Sequence, residues 1–171
     1  MSSYFKQNIR LMRQHSPYAN DLPEGFSSSI KVQSTPSGSD TVWLDNALIH
    51  SMYDPVKEGQ TFANKVAIGS QICLYGFGLG YHIDSLLKRI GPDGFLLAIE
   101  LNPDLLFAAM TLKDQSIILS DKRFHLVFGL DEEKVSAEIS KYMKQLQTRP
   151  GSLEILFHSP SFKGIPSHFP R

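Results

Sequence analysis

The sequence is poor in cysteine, in net charge and in long apolar runs, and each shortage excludes a class of protein. Cys73 is the only cysteine, so one chain cannot form an internal disulfide. Seventeen basic residues balance seventeen acidic ones, which leaves no overall positive charge to attract nucleic acid or an anionic membrane. No run of about 18 apolar residues could span a bilayer, and the opening MSSYFKQNIR lacks the apolar segment of a signal peptide. We therefore expect a cytoplasmic protein without nucleic-acid or membrane partners.

The remaining composition is that of a globular protein with a core of its own. The chain has 171 residues, of which 42% are apolar and 20% are charged. Cys73 lies within an apolar run, which predicts a buried structural thiol rather than a reactive one.

The pattern changes near residue 70, and residues 1–69 predict a small α+β preface. Phe5, Ile9 and Met12 have the spacing of one helix face. The segments SSIKVQS and DTVWLDN flank the turn-rich TPSGSD and predict a hairpin. Asp54 followed by Pro55 predicts the capped start of a second helix.

Residues 70–171 alternate between strand and helix patterns. Four predicted strands, ICLYG, GFLLAIE, RFHLVFG and SLEILFH, are separated by helix patterns whose starts include Asn102-Pro103 and Asp131. This alternation predicts an α/β fold with a Rossmann-like, methyltransferase-like parallel sheet of order 3-2-1-4. The tail SPSFKGIPSHFPR is too short and proline-rich for another crossover and strand, so we expect either that the preface supplies strands to complete the sheet or that this half domain is truncated before a further domain.

A glycine-rich loop, GFGLGYH, follows the first of these strands. Glycines in a strand-to-helix turn allow a ligand to approach the backbone, and the helix start favours an anion. Tyr81 stands where the dinucleotide fingerprint has Gly or Ala, which disfavours NAD. We predict a nucleotide-type or S-adenosylmethionine-like ligand in a crevice formed by Gly76, Phe77, Gly78, Gly80, Tyr81, His82, Glu100 and Asn102. The same glycines and carboxylate could also serve the fold alone.

The loop also resembles the G-x-G-x-G loop of S-adenosylmethionine-dependent methyltransferases. Glu100 ends the second predicted strand, where that family has an acid that holds the ribose hydroxyls. Leu74 stands where those enzymes commonly carry a further acid, which weakens the expected contact to the amino-acid end of the cofactor.

The histidines predict neither a metal site nor a catalytic centre. His50 and His82 are 32 positions apart and have no cysteine near them, so we expect no zinc site. His82 is placed to touch an anion in the loop, although a capping or surface role is the stronger expectation. Tyr53 and Asp54 could approach the same loop. His158 and Ser159 leave the fourth strand where methyltransferases carry a catalytic motif, but they fit no methyl-transfer chemistry, so no catalytic residue is assigned.

A longer resemblance joins several of these motifs. IHSMYDPVKEG, GFGLGYHIDSLL, IELNPDLL and the exit FHSPSFKGIP, spread over residues 40–166, resemble the amino-terminal domain of motility-associated factor (Maf) flagellin glycosyltransferases and similar bacterial proteins. Gly59 stands where the resemblance leads us to expect alanine. In that family this domain precedes a central domain that transfers an activated nonulosonic acid to flagellin.

Three functional hypotheses follow. The resemblance implies a nucleotide-binding or accessory domain of a Maf-type protein that is not catalytic by itself. The alternatives are a methyltransferase-like enzyme and a non-catalytic interaction module. Because the predicted fourth strand, SLEILFH, would be an apolar edge, we also expect either a homo-oligomer or a missing C-terminal domain that covers it. The Phe5, Ile9 and Met12 face is expected to offer a second apolar surface to a partner.

Overall fold

A computed structural model describes residues 3–164 of the chain, and two sheets organise them. The strands are β1 (Ile30–Ser34), β2 (Asp40–Leu44), β3 (Ala47–Leu48), β4 (Gln71–Tyr75), β5 (Phe95–Glu100), β6 (Phe124–Phe128) and β7 (Leu153–Phe157). The helices are α1 (Ser3–Met12), α2 (Pro55–Ala63), α3 (Tyr81–Ile90), α4 (Pro103–Leu112), α5 (Ser116–Leu119) and α6 (Glu132–Thr148). Short 3-10 helices lie at Ala19–Asp21 and Ser159–Gly164, and neither was expected from the sequence.

The preface forms a sheet of its own. Strands β1 and β2 pair antiparallel around the turn at residues 35–39, which confirms the predicted hairpin. The two-residue strand β3 adds to β2 and was not predicted. These three strands do not join the second sheet.

The second sheet is parallel and confirms the α/β prediction. Its strands lie in the order β6-β5-β4-β7, which reads 3-2-1-4 when the strands of this sheet are numbered along the chain. Helices α3, α4 and α5 connect the first three strands, and α6 makes the return crossover to β7. Since the carboxyl ends of parallel strands share one edge, the ends of β4, β5 and β7 are neighbours there.

Predicted helix signals match the observed ends. The side chains of Asp54, Asn102 and Asp131 each accept a hydrogen bond from a first-turn backbone N–H, at 3.0, 3.0 and 3.1 Å. Gly91 ends α3 with a φ of 72°, in the left-handed region that glycine permits. These positions confirm the sequence-based caps.

The preface and the parallel sheet share one hydrophobic core. The predicted stripe of Phe5, Ile9 and Met12 is 9%, 7% and 0% exposed, and the Phe5 ring packs 5.2 Å from that of Phe107 in α4. The expectation that this stripe is free for a partner is therefore wrong, because α4 and α5 already cover it. Cys73 is fully buried, and burial raises the pKa of its thiol to about 11, as a structural role requires.

The two edges of the parallel sheet are treated differently. At β6, the segment after α1 supplies side chains: Ser16 Oγ donates to the Phe128 carbonyl at 2.7 Å, and the Leu126 N–H points to His15 Nδ1 at 3.3 Å. At β7, Ile155 and Phe157 are 51% and 56% exposed, and no strand within residues 3–164 pairs with its outer edge. Residues 159–164 of the tail form the 3-10 helix, and residues 165–171 lie outside the described part of the chain.

Helix α6 explains why β7 is open on one face. Buried Val135 and Leu146 place α6 over β4, β5 and β6, where a cluster separate from the main core forms. Within residues 3–164 no second α-helix lies on this face beside α6, although the 3-10 helix after β7 places the Phe162 ring 5.8 Å from that of Phe157. None of the helices described in this range is long and apolar enough to cross a membrane.

Candidate functional site

The glycine loop lies at the carboxyl edge of the parallel sheet, between β4 and α3, as the sequence predicts. All three glycines have left-handed φ values, and the space where a Cβ would stand is filled by other parts of the chain. At Gly78 (φ 53°) a Cβ would meet His50 Nε2 at 2.6 Å, and at Gly80 (φ 86°) it would meet Gln115 Oε1 at 2.7 Å. The glycines therefore allow the loop to pack against its own protein.

Glu100 folds beneath the loop and does not point into an open crevice. Its Oε2 accepts hydrogen bonds from the N–H groups of Phe77 at 2.9 Å and Gly78 at 3.4 Å. Its Oε1 accepts from the N–H groups of Leu101 and Asn102, both at 3.0 Å. Burial, the largest cause, raises the pKa of this carboxyl to about 7, while the four amide hydrogen bonds act in the opposite direction. The amides that were expected to hold an anionic ligand thus hold the protein's own carboxylate.

The structure brings all eight predicted site residues together and buries every one of them. Phe77 is a core side chain, and Asn102 caps α4. The Tyr81 hydroxyl donates to the Asp40 carbonyl at 2.6 Å, and burial together with the Asp40 carboxylate raises the pKa of Tyr81 to about 12. Except at His82, which borders a surface cavity, a ligand could reach this set only by displacing protein groups. Tyr53, by contrast, is 70% exposed.

The most unusual feature at this edge is a buried cluster of three histidines, which we call the histidine cluster: His50, His82 and His158. One ring nitrogen from each lies within 4.8 Å of those from the other two. The rings of His82 and His158 stack at a centroid distance of 4.2 Å, and those of His50 and His158 at 4.7 Å. The residues come from the loop before α2, from the first turn of α3 and from the end of β7. The expectation of no metal site considered only His50 and His82.

Each histidine has one nitrogen fixed by an oxygen atom. His50 Nδ1 lies 3.0 Å from Glu58 Oε1, and His158 Nδ1 lies 2.6 Å from Ser161 Oγ. His82 Nε2 lies 2.9 Å from the carbonyl oxygen of Gly76, and because a carbonyl only accepts, Nε2 is the donor. A capping or surface role was expected for His82; the side chain is 2% exposed, and its Nε2 bonds a loop carbonyl instead of an N–H at the helix start, so that expectation is wrong.

The second nitrogens differ in what they contact. His82 Nδ1 is buried and has no hydrogen-bond partner within the described residues. His50 Nε2 accepts the backbone N–H of Leu79 at 2.9 Å. In His158 the contact with Ser161 occupies Nδ1, so Nε2 is the ring nitrogen that remains for another contact.

Burial keeps all three rings neutral. It is the largest cause lowering the pKa of His82 to about 3, and it also lowers the pKa of His50 below the ordinary value. The pKa of His158 is lowered as well, first by burial and then by the neighbouring His82 and His50. Neutral imidazoles keep a lone pair, which is the form that binds metal ions. Ser161 is 2% exposed, so its contact with His158 does not form a nucleophile open to a substrate.

A surface cavity of about 280 Å³ adjoins the histidine cluster. His82 and His158 form part of its wall, together with Glu58, Phe62 and Lys65. Gly59 lies at the same place, and a Cβ there would stand 2.6 Å from the Tyr81 carbonyl oxygen. The close packing of α2 on α3 thus accounts for glycine at the position where alanine was expected.

Sequence reasoning missed the part that His158 plays, together with Glu58 and Ser161, although a signal was available. The order 3-2-1-4 makes the fourth strand a neighbour of the first, and in the structure Phe157 is in register with Tyr75. The residues that directly follow β4 and β7 are therefore neighbours, which brings His158 beside Gly76. Applying the predicted strand order to the strand ends would have found this pair.

Comparison with known proteins points to one family. The sequence model of the family described as the glycosyltransferase Maf N-terminal domain matches residues 11–150. The solved structure of a Maf glycosyltransferase from Magnetospirillum magneticum AMB-1 is similar, with a TM-score of 0.65 and 12% sequence identity. This similarity covers 91% of the present chain and 32% of that one, so the chain spans about a third of its length.

A second solved structure, the spermidine synthase from Thermotoga maritima, has a TM-score of 0.45 and 19% identity. It matches 61% of this chain and 38% of its own. No curated protein sequence matches the chain significantly.

Proposed function

The chain belongs to the glycosyltransferase Maf N-terminal domain family, and we propose that it acts as an accessory domain of a Maf-type glycosyltransferase-like protein, without catalysing transfer by itself. The filled glycine loop supports this proposal, because the strand ends where a Rossmann-like enzyme holds its ligand are occupied by Glu100 and the histidine cluster. The hydroxyl that contacts the histidine cluster, Ser161 Oγ, belongs to a side chain that is only 2% exposed.

The observation that carries the proposal is the uncovered face of β7. Ile155 and Phe157 are 51% and 56% exposed, and the Phe157 ring stacks on Tyr75 at a centroid distance of 5.3 Å. Phe162 extends this patch, with its ring 5.8 Å from that of Phe157. Neighbouring exposed apolar side chains of this kind commonly mark an interaction surface.

We assign this face to the remainder of a longer protein. The chain covers 32% of the similar Maf glycosyltransferase structure, so a domain of this type has further protein available to pack against it. The face lies beside α6, where a doubly wound sheet normally carries another helix. A second copy of the chain is the competing occupant, and the experiment below separates the two.

The test is a Phe157→Ser substitution, made both in this chain alone and in the longer protein. In the chain alone we expect a loss of about 1–3 kcal/mol in the free energy of unfolding, since the ring contacts with Tyr75 and Phe162 are removed. In the longer protein the loss should be larger by about 1–1.5 kcal/mol, because Phe157 is 56% exposed in the chain alone and about half of the 1.5–3 kcal/mol for fully burying such a side chain remains to be gained. Ile117→Ser is the matched control, because Ile117 is 77% exposed on α5 and should be neutral in both contexts.

Equal losses for Phe157→Ser in the two contexts would contradict the covering domain. Light scattering coupled to size-exclusion chromatography over a concentration series decides the competing occupant: self-association of the chain alone that Phe157→Ser abolishes would assign the face to a second copy. Incubation of the chain alone with a CMP-activated nonulosonic acid and flagellin should give no transfer. Transfer by the chain alone would overturn the accessory role.

Nucleotide binding at the glycine loop remains a separate prediction. Its basis is the position of Gly76, Gly78 and Gly80 at the carboxyl edge next to Glu100. A ribose could bind this carboxylate only after it released four backbone N–H groups. Calorimetry with CMP, S-adenosylmethionine, S-adenosylhomocysteine and common dinucleotides tests it. Saturable binding that Glu100→Ala weakens would support the nucleotide or methyltransferase-like hypothesis, and no heat from any of them would leave the loop a purely structural element.

A further inference from the structure

We propose that His50, His82 and His158 form a tri-histidine site for a divalent transition-metal ion of the Zn²⁺ type, whose fourth position opens towards the adjoining cavity. Three imidazole ligands with one open position are an established Zn²⁺ arrangement. The nitrogen donors are poor ligands for Mg²⁺ or Ca²⁺, which prefer oxygen. The proposal goes beyond the accessory role and does not depend on it.

The hydrogen bonds around the cluster have the pattern that supports metal-bound histidines. In metalloproteins, the ring nitrogen away from the metal usually contacts a carboxylate, a backbone carbonyl or another oxygen. Here Glu58 provides a carboxylate for His50, Gly76 a carbonyl for His82 and Ser161 a hydroxyl for His158. These contacts leave His50 Nε2, His82 Nδ1 and His158 Nε2 as the three ligand atoms.

The buried Nδ1 of His82 points to a ligand independently of the cluster itself. It is inaccessible to solvent and has no hydrogen-bond partner within residues 3–164. Leaving a buried polar atom unpaired costs about 1–3 kcal/mol, so such atoms need a physical explanation. A metal ion that lies in the ring plane of His82, in line with the lone pair of Nδ1, would supply the missing partner.

Binding requires the cluster to contract and its rings to reorient. Tetrahedral Zn²⁺ with Zn–N bonds of 2.0–2.1 Å holds its nitrogens about 3.3 Å apart, whereas one nitrogen from each of the three rings now lies within 4.8 Å of those from the other two. His50 Nε2 must also exchange the N–H of Leu79, now at 2.9 Å, for the metal. The His82 and His158 rings, now stacked with 14° between their planes, must also rotate about their χ angles so that their in-plane lone pairs converge on the ion.

The site would connect parts of the chain that are far apart in sequence. His50 belongs to the preface, His82 to the first crossover helix and His158 to the segment that leaves β7. A metal bound by all three would stabilise the junction between them, because its binding energy is available only in the folded state. Lys65 lines the cavity and would favour an anionic or hydroxide fourth ligand.

The experiment uses the chain stripped with EDTA and then titrated with ZnCl2. We expect one Zn²⁺ per chain after gel filtration and a rise in melting temperature. CoCl2 should give the intense visible bands of tetrahedral Co²⁺, whereas MgCl2 and CaCl2 should change neither signal. A wild-type chain that retains no Zn²⁺ and shows no Co²⁺ bands would overturn the proposal, whether or not any variant folds.

Three variants locate the bound ion. His158→Gln, at the cavity wall, should abolish the Co²⁺ bands and Zn²⁺ retention. Glu58→Gln keeps a hydrogen-bond acceptor near His50 and should weaken Zn²⁺ binding about 10- to 100-fold, as the loss of such supporting contacts does. His125→Gln is the matched control, because His125 lies on β6 and contacts Glu138 instead of the cluster. Equal binding by His158→Gln and the wild type, or loss of binding in His125→Gln, would contradict the assignment.

Discussion

Replacing Asn8 by alanine tests the finding that the preface and the parallel sheet form one structural unit. Asn8 lies on α1 and is fully buried. Its Nδ2 donates to the Met110 carbonyl at 2.9 Å and to the Lys113 carbonyl at 2.8 Å, while its Oδ1 accepts the N–H of Gln115 at 3.0 Å. One side chain therefore satisfies three backbone groups at the junction of α4 and α5. Alanine satisfies none of them.

The magnitude follows from which of these groups water can reach. The bonds to Met110 and Gln115 are buried, and each backbone group left unpaired costs about 1–3 kcal/mol. The bond to Lys113 is partly exposed, so water replaces it at a smaller cost. We therefore expect Asn8→Ala to lower the free energy of unfolding by about 2–6 kcal/mol, a large part of the 5–15 kcal/mol typical of a domain.

Urea unfolding followed by circular dichroism and by Trp43 fluorescence provides the measurement. Trp43 lies in the preface hairpin, so its signal reports on that part of the chain. Both signals should shift together to lower urea in a single transition. Asn64→Ala is the control, because Asn64 is exposed at the end of α2 and should change stability by less than about 0.5 kcal/mol. An early fluorescence transition with an unchanged circular-dichroism transition would refute the reasoning and favour separate units at 1–69 and 70–171.

Two further predictions concern packing and pH. Gly59→Ala should lower the free energy of unfolding by about 1–2 kcal/mol, because a clash with the backbone of α3 outweighs the gain in helix propensity of about 1 kcal/mol. Urea titration measures this change, and Gly25→Ala is the control, because a Cβ at Gly25 meets nothing within 4 Å. Burial is the largest cause that lowers the pKa of His15 from 6.5, and the nearby His125 lowers it further. The hydrogen bond of His15 to the Leu119 carbonyl and the nearby Glu138 act in the opposite direction. The unfolded chain therefore takes up this proton first, and stability falls as the pH drops below about 6.5. His15→Gln should reduce the slope of stability against pH by at most about 1.4 kcal/mol per pH unit, and an unchanged slope in urea titrations from pH 6.5 to 5 would contradict the prediction.

The local features were predictable because they depend on neighbours in sequence. The four parallel strands, the hairpin and the caps at Asp54, Asn102 and Asp131 follow from apolar periodicity and from side chains that bond backbone groups three residues on. The Maf resemblance was likewise predictable from linear motifs, and the family match to residues 11–150 confirms it.

Only the tertiary structure decided what those features face. The Phe5 stripe predicts a helix that buries one side, but its periodicity does not say that α4 and α5 cover it. Glu100 ends its strand as predicted, yet its direction depends on backbone N–H groups of a loop 22 or 23 positions away. His50, His82 and His158 come from three separate segments, and no spacing rule joins them. The sequence by itself determined which elements form and which residues stand at their ends. The packing of the preface and of the segment after β7 against the glycine loop decided that those ends meet as a buried histidine cluster. Only the tertiary structure could decide this, because such contacts depend on distances through space between segments that are remote along the chain.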